Sequence, residues 1–213
     1  IEDDKWNECI LKSTNGLIYG LAWFLDALTS NWCAFVIEND RRYEAVFPVP
    51  LRRKFGVKYV YPPFFIQQLG LFALQYSRKE EKQAISLMKN KFKFIELNLN
   101  YKSEEGEVKT NLVLELNVDY AKIQNSYSKN HLRNLKKAKK FGLKLNQGTS
   151  PAEIISLFKF DRGLTLEKYS ALAYQNLLNL CSKASLENSL ISLGVTLNSI
   201  LICGGVFMKF KPL

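Results

Sequence analysis

Between Asn188 and Met208 the chain carries no charged side chain, and what that run becomes decides which folds are open to it. As one helix it would be long and apolar enough to cross a bilayer. However, Asn198-Ser199 divides it into two β-rich halves, Leu190–Leu197 and Ile200–Met208, and a polar dipeptide between such halves signals a tight turn. A β-hairpin is therefore expected. The other uncharged run, Tyr59 to Ser77, contains Pro62, Pro63, Gln67 and Gln68, which break any clean spanning helix. No membrane span is expected. The start Ile1-Glu2-Asp3-Asp4 lacks the basic and apolar regions of a signal peptide, so the expected compartment is the cytoplasm.

Similar patterns punctuate the rest of the chain. Asp3 or Asp4 can cap a helix bearing Trp6, Cys9 and Ile10, which Asn15-Gly16 breaks. Leu21, Phe24, Leu25 and Leu28 recur at helical spacing over about Tyr19–Leu28. Trp32–Ile37 and Tyr43–Val49 read as a hairpin turning at Glu38-Asn39-Asp40 and ended by Pro48 and Pro50. Val57–Tyr61 is a short strand, and Gln67-Gln68-Leu69-Gly70 reads as a loop or strand end. Ser77 caps a helix from Arg78 to about Asn90 with Ala84, Ile85, Leu87 and Met88 inward. Phe92–Leu99 and Asn111–Leu116 read as strands around a polar loop, Tyr101–Lys109. Beyond Asp119, Ser126 or Ser128 caps a basic helix ending at Gly142, and Leu143–Leu145 is a short strand. Pro151 opens the next helix, and Leu166–Leu180 is an amphipathic helix before the final hairpin. Helix–helix–hairpin thus occurs twice. With 47% hydrophobic residues there is apolar surface for one large core or two small ones, and the reading is a mixed α/β (α+β) chain with units at 1–116 and 117–213.

Charge and reactive residues narrow the chemistry. Lys and Arg number 30 against 20 Asp and Glu, a net charge of +10, and the excess is clustered. No carboxylate occurs from Tyr120 to Ala152, where Lys122, Lys129, Arg133, Lys136, Lys137, Lys139, Lys140 and Lys144 fall; Arg52, Arg53, Lys54 and Lys58 form a second group. Such clusters favour an anionic partner, such as a phosphate ester, a nucleic acid or a membrane surface, although they also suit a plain solvated face. The four cysteines are widely separated, without C-x-x-C spacing, which argues against zinc and for reduced intracellular thiols. The single histidine, His131, excludes sites needing two imidazoles. Surrounding lysines disfavour the imidazolium that a triad base must become.

Tyr127-Ser128-Lys129-Asn130-His131-Leu132-Arg133-Asn134-Leu135-Lys136-Lys137-Ala138 resembles a motif of the Fem-like acyltransferases in the GNAT superfamily. Trp23–Ala27, Pro48–Lys54, Phe65–Gly70 and the strand Leu201–Phe207 with Gly204-Gly205 resemble further family segments, in the same order. The resemblance implies tandem GNAT-like modules, the second continuing beyond Leu213 with a further helix and strand. It implies transfer of an acyl or aminoacyl group from acyl-CoA or aminoacyl-tRNA to an amine, through positioning and oxyanion stabilisation, without a covalent nucleophile. No tightly bound cofactor is implied. The family's acyl-CoA loop is matched only in its first half by Gln67-Gln68-Leu69-Gly70-Leu71-Phe72, because Phe72 would obstruct backbone approach to a pyrophosphate.

The candidate binding residues for an anionic substrate, a phosphate ester or tRNA, are Lys129, Asn130, Arg133, Asn134 and Lys137 on the basic helix. Lys129, Arg133, Lys136 and Lys140 form a continuous stripe whose like charges disfavour the helix unless an anion binds. Three readings stay open for it: a substrate- or tRNA-facing surface, a solvated helix, or a free-standing RNA-binding helix. Tyr61 and Gln67 are candidates for a cleft wall beside Tyr59, Phe64 and Phe65, whose alternative is core packing. Asp161 and Arg162 read as a helix-terminus ion pair. No residue is assigned as a catalytic base. The alternative to a transferase is a non-catalytic protein that holds RNA or phosphorylated glycan precursors. Strand Ile200–Met208 is expected to be a sheet edge, which a second copy in a homo-oligomer would cover.

Overall fold

The computed structural model describes residues 1–103, 106–163 and 169–210; the side chains of residues 162 and 163 lie outside it. Its longest strand runs straight through two prolines. β1 (Trp32–Asn39) and β2 (Arg42–Lys54) pair antiparallel, with Ala34 opposite Pro48 and Trp32 opposite Pro50, so neither proline ends the strand. Hydrogen-bond direction explains this. Leu51 donates its N–H to Asn31 on the β1 side, whereas Glu44 and Pro50 accept on the opposite side, from Leu74 and Tyr61. Pro48 and Pro50 therefore turn their missing N–H groups away from β1. On that side β4 (Phe72–Ala73) pairs only with Ala45 and Val46, and β3 (Val57–Val60) only with Leu51–Lys54. The prolines sit in the gap and break no ladder bond.

β2 is buried continuously from Ala45 to Leu51, because helices cover both faces of this sheet. On one face α1 (Asp3–Lys12) and α2 (Ala22–Leu28) bring Trp6, Ile10, Phe24 and Leu25 against Val46. On the other, α3 (Arg78–Lys91) brings Ala84 and Met88 against Phe47 and Val49. A 3₁₀ turn, Ile18–Gly20, precedes α2, so the expected helix over Tyr19–Leu28 is split. Asn15, the expected helix breaker, also ties α1 to the sheet: its amide donates to the Leu71 carbonyl at 2.7 Å and accepts from the Ala73 N–H at 3.4 Å. Leu87 departs from expectation. The buried stripe of α3 is Glu81, Ala84 and Met88, with Glu81 accepting from the Tyr76 hydroxyl at 2.7 Å, and this rotation leaves Leu87 half exposed.

Two expected strands do not form. Phe92–Leu99 makes only isolated parallel bridges, Ile95 to Val60 and Leu99 to Leu69. Asn111–Leu116 has no ladder partner among the described residues, and Leu112 and Val113 are 90% and 85% exposed. The β-rich composition is real, but a strand exists only where an edge accepts it.

The second half begins with α4 (Tyr120–Asn125) and α5 (Lys129–Lys140). β5 (Lys144–Gln147) follows, one or two residues later than expected. Next come α6 (Pro151–Phe158), with its proline at the first turn, and a π-helical turn, Lys159–Gly163. α7 (Ala171–Leu186) is capped by Ser170. It begins later than the expected Leu166, which lies outside the described residues, and runs on past Leu180. The uncharged run is a hairpin, β6 (Leu190–Leu197) and β7 (Ile200–Met208), closed by Asn198 and Ser199, both with left-handed backbone. The sheet order is β5-β6-β7, so β7 is an edge among the described residues. Gly204 lets α6 pack closely: a Cβ there would lie 2.8 Å from Ile154 Cγ1. α7 also packs on α2, with Leu180 buried in the same core as Trp6, Phe24 and Leu28.

Candidate functional site

The basic helix is built by local signals. Ser128 Oγ accepts from the His131 N–H at 3.2 Å, satisfying one of the first-turn donors, and Gly142 at φ +71° terminates the chain's turn after Lys140. Lys, Leu, Arg and Ala between these caps are good helix formers. The Tyr127 and His131 rings stand 4.4 Å apart at its start, and a hydrogen bond with Tyr120 raises the Tyr127 hydroxyl pKa. No residue of α5 is buried; even Leu132 and Leu135 are 37% exposed. The five candidates on α5 thus share one solvent-facing element. Lys129, Arg133 and Lys137 form one row, with Asn130 and Asn134 in the next. Arg133 Nη2 donates to Asn130 Oδ1 at 2.7 Å, which joins the rows. Among the described residues, no carboxylate pairs with a cation of α5.

Tyr61 and Gln67 stand elsewhere, and no hydrogen bond or ring contact among the described residues joins them to α5. Tyr61 lies beneath the Arg52 guanidinium, 5.3 Å from its ring centroid, with Tyr59 at 6.2 Å. Gln67 is held between two polar partners: its Oε1 accepts from the Tyr19 hydroxyl at 3.2 Å, and its Nε2 donates to Asn111 Oδ1 at 3.1 Å. The expected aromatic group therefore divides. Tyr59 and Tyr61 stay with Arg52, whereas Phe64 and Phe65 pack on Tyr169 from the second half, Phe65 stacked at 6.0 Å and 8°.

Tyr169 also contacts Phe158 and Tyr174, so the loop after β3 meets the segment before α7 through aromatic rings. Lys159 Nζ sits 5.5 Å from the Tyr174 ring centroid, and the Tyr174 hydroxyl is buried without a hydrogen-bond partner among the described residues. Sequence reasoning took Arg52 only as one cation of a basic group and missed Tyr19, Asn111, Tyr169 and Tyr174 as partners. Tyr19 and Asn111 meet Gln67 across 48 and 44 residues, a separation for which the sequence carries no local signal. Gln67-Gln68-Leu69-Gly70, read as a loop or strand end, is a loop with one isolated parallel bridge: Leu69 exchanges backbone bonds with Asn98 and Asn100 at 2.8 Å, and Phe72 is fully buried. The Arg162 side chain, expected to pair with Asp161, lies outside the described residues.

The thiols at Cys9, Cys33 and Cys181 have raised pKa values, chiefly because burial disfavours the thiolate. None is poised as a nucleophile. Among the described residues, no three His, Cys, Asp or Glu side chains gather as metal ligands, and no helix is long and apolar enough to cross a membrane.

No protein-family model matches the chain, and no curated protein matches it. Solved structures do. The crystal structure of FemX superposes with a TM-score of 0.57 at 12% sequence identity, over 92% of this chain and 57% of the FemX chain. This likeness shows a shared fold, a mixed α+β arrangement of antiparallel sheets and helices. The chain spans little more than half the length of FemX.

Proposed function

We propose that the chain is an N-acyltransferase of the Fem-like kind, moving an acyl or aminoacyl group from a thioester or aminoacyl-tRNA to an amine. The observation that carries this reading is the agreement of two independent likenesses. The fold follows FemX over 92% of the chain, and the family-like motif folds into an exposed, capped helix whose cations have no carboxylate partner among the described residues. In this reading Lys129, Arg133 and Lys137 hold donor phosphates while Asn130 and Asn134 supply neutral donors beside them. Tyr61 and Gln67 serve a second, polar-aromatic wall. The amine lone pair attacks the carbonyl carbon, the C–O or C–S bond then breaks, and the leaving alcohol or thiol takes up the proton that the amine sheds. Two modules, 1–116 and 117–213, belong to the same proposal. α1–α2–β1–β2 and α6–α7–β6–β7 repeat one order of elements, and the equivalent helices α2 and α7 pack together.

The test is thermal stabilisation by acetyl-CoA, by aminoacylated tRNA and by deacylated tRNA, followed by Arg133→Gln. A ligand that binds only the folded state raises the midpoint with concentration. Stabilisation by one acyl donor, lost on Arg133→Gln, supports the transferase; no shift with any donor refutes it. The exposure of α5 also fits a non-catalytic RNA binder. Equal binding of charged and uncharged tRNA, with the aminoacyl bond intact afterwards, would select that reading.

A further inference from the structure

We propose that the tip of the β2–β3 hairpin docks on an anionic lipid bilayer surface. Three strand pairs close with two-residue loops whose residues both have positive φ: Asp40-Arg41, Phe55-Gly56 and Asn198-Ser199. Such loops favour Gly, Asn and Asp. Phe55 breaks that preference at φ +48° and is 93% exposed, so it accepts a left-handed backbone and a hydrated ring at once. Among the described residues, the one ring or cation contact of its side chain is with the Lys54 ammonium, 5.5 Å from the centroid.

The charges around it are equally unfavourable in isolation. Arg53 and Lys58 face each other directly across the two strands, a like-charge pair that destabilises a ladder. Arg52 and Lys54 add two more cations, and no carboxylate occurs between Glu44 and Glu80 to balance them. Val57, opposite Lys54, is also exposed. The tip therefore presents an aromatic apex and a valine, then a belt of cations. Phe55 and Val57 match the acyl boundary of a bilayer, and the belt matches anionic headgroups. An aliphatic side chain has no stacking role on a nucleobase, so Val57 favours lipid over single-stranded nucleic acid. Arg53 Nε donates to the Gly56 carbonyl at 3.2 Å, which keeps the apex erect. This surface is separate from α5, so docking stands or falls independently of the transferase reading.

The experiment is co-sedimentation of the protein with vesicles of phosphatidylcholine alone and with about one-third phosphatidylglycerol added, at low and high salt. Phe55→Asn relieves the turn, so its thermal midpoint should hold or rise. Binding to the anionic vesicles is expected to weaken about tenfold as the buried ring is lost. Lys54→Gln and Lys58→Gln should each weaken it about fivefold, and neutral vesicles should bind little. Lys129→Gln/Arg133→Gln/Lys136→Gln controls for α5, and Phe55→Asn must still weaken binding in that background. The proposal is overturned if Phe55→Asn binds anionic vesicles like the parent, or if the α5 changes alone abolish binding. It is equally overturned if vesicles do not bind while Phe55→Asn impairs binding of a single-stranded RNA oligonucleotide.

Discussion

Leu180→Ala tests how the halves of the chain are joined. Leu180 lies on α7, yet it is 2% exposed and buried with Trp6, Phe24, Leu25 and Leu28 of the first half. Removing a buried leucine side chain costs about 3 kcal/mol when the site relaxes only partly. At roughly 2–4 °C per kcal/mol for a chain of this size, the midpoint should fall by about 6–12 °C. Two hydrogen bonds reinforce the contact. α2 ends with orphan carbonyls, and Asn176 and Asn179 of α7 donate to Leu28 and Ala27 at 3.5 and 3.4 Å. These bonds are long, so Asn176→Ala/Asn179→Ala should cost about 1–2 kcal/mol together. The assay follows from where the tryptophans fall. All three, Trp6, Trp23 and Trp32, lie in the first half, so fluorescence follows that half while far-ultraviolet dichroism follows both. If α7 completes the first core, Leu180→Ala shifts both transitions together. A tryptophan transition unchanged while the dichroism transition moves would refute the shared core.

The other changes isolate single features. Arg133→Gln removes like-charge contacts with Lys129 and Lys137 four residues away, so helix stability should rise by a few tenths of a kcal/mol. The same variant should weaken tRNA binding and flatten its salt slope by about 1, read by filter binding across a salt series. Gly204→Ala places a methyl 2.8 Å from Ile154 and 2.9 Å from the Leu193 carbonyl and should cost about 1–3 kcal/mol in urea melts. Burial pushes the Cys9 thiol from 9.0 to about 11, so folding holds its proton more tightly than the unfolded chain does. Its contribution is therefore whole below pH 9 and lost as pH rises through 11; Cys9→Ala should flatten the fall in melting temperature across that window.

Much of the fold was legible because its signals are local. Ser77, Ser128 and Pro151 fix helix starts, Gly142 fixes an end, and Asn198-Ser199 converts an apolar run into a hairpin. What failed depended on neighbours distant in sequence. Pro48 and Pro50 should break a strand by their own chemistry. Only the gap between β3 and β4 makes their missing N–H groups harmless. Asn111–Leu116 has strand composition but no ladder partner among the described residues, a condition that no propensity encodes.

The same division governs the functional surfaces. The α5 band could be read directly, because capping and i,i+4 charge repulsion act within one helix. Tyr61 and Gln67 could be suspected, but not their partners: Tyr19 lies 48 residues from Gln67, and Asn111 lies 44. Tyr169 stacks on Phe65 across a still longer separation. The most useful local signal is therefore residues that cost stability where they stand. The like-charged row of α5, which has no carboxylate partner among the described residues, and the left-handed, exposed Phe55 between Arg53 and Lys58 both do so. A core residue in a poor local conformation is explained by its packing. These residues have little packing, Phe55 being 93% exposed, so they are the positions at which binding variants are most informative.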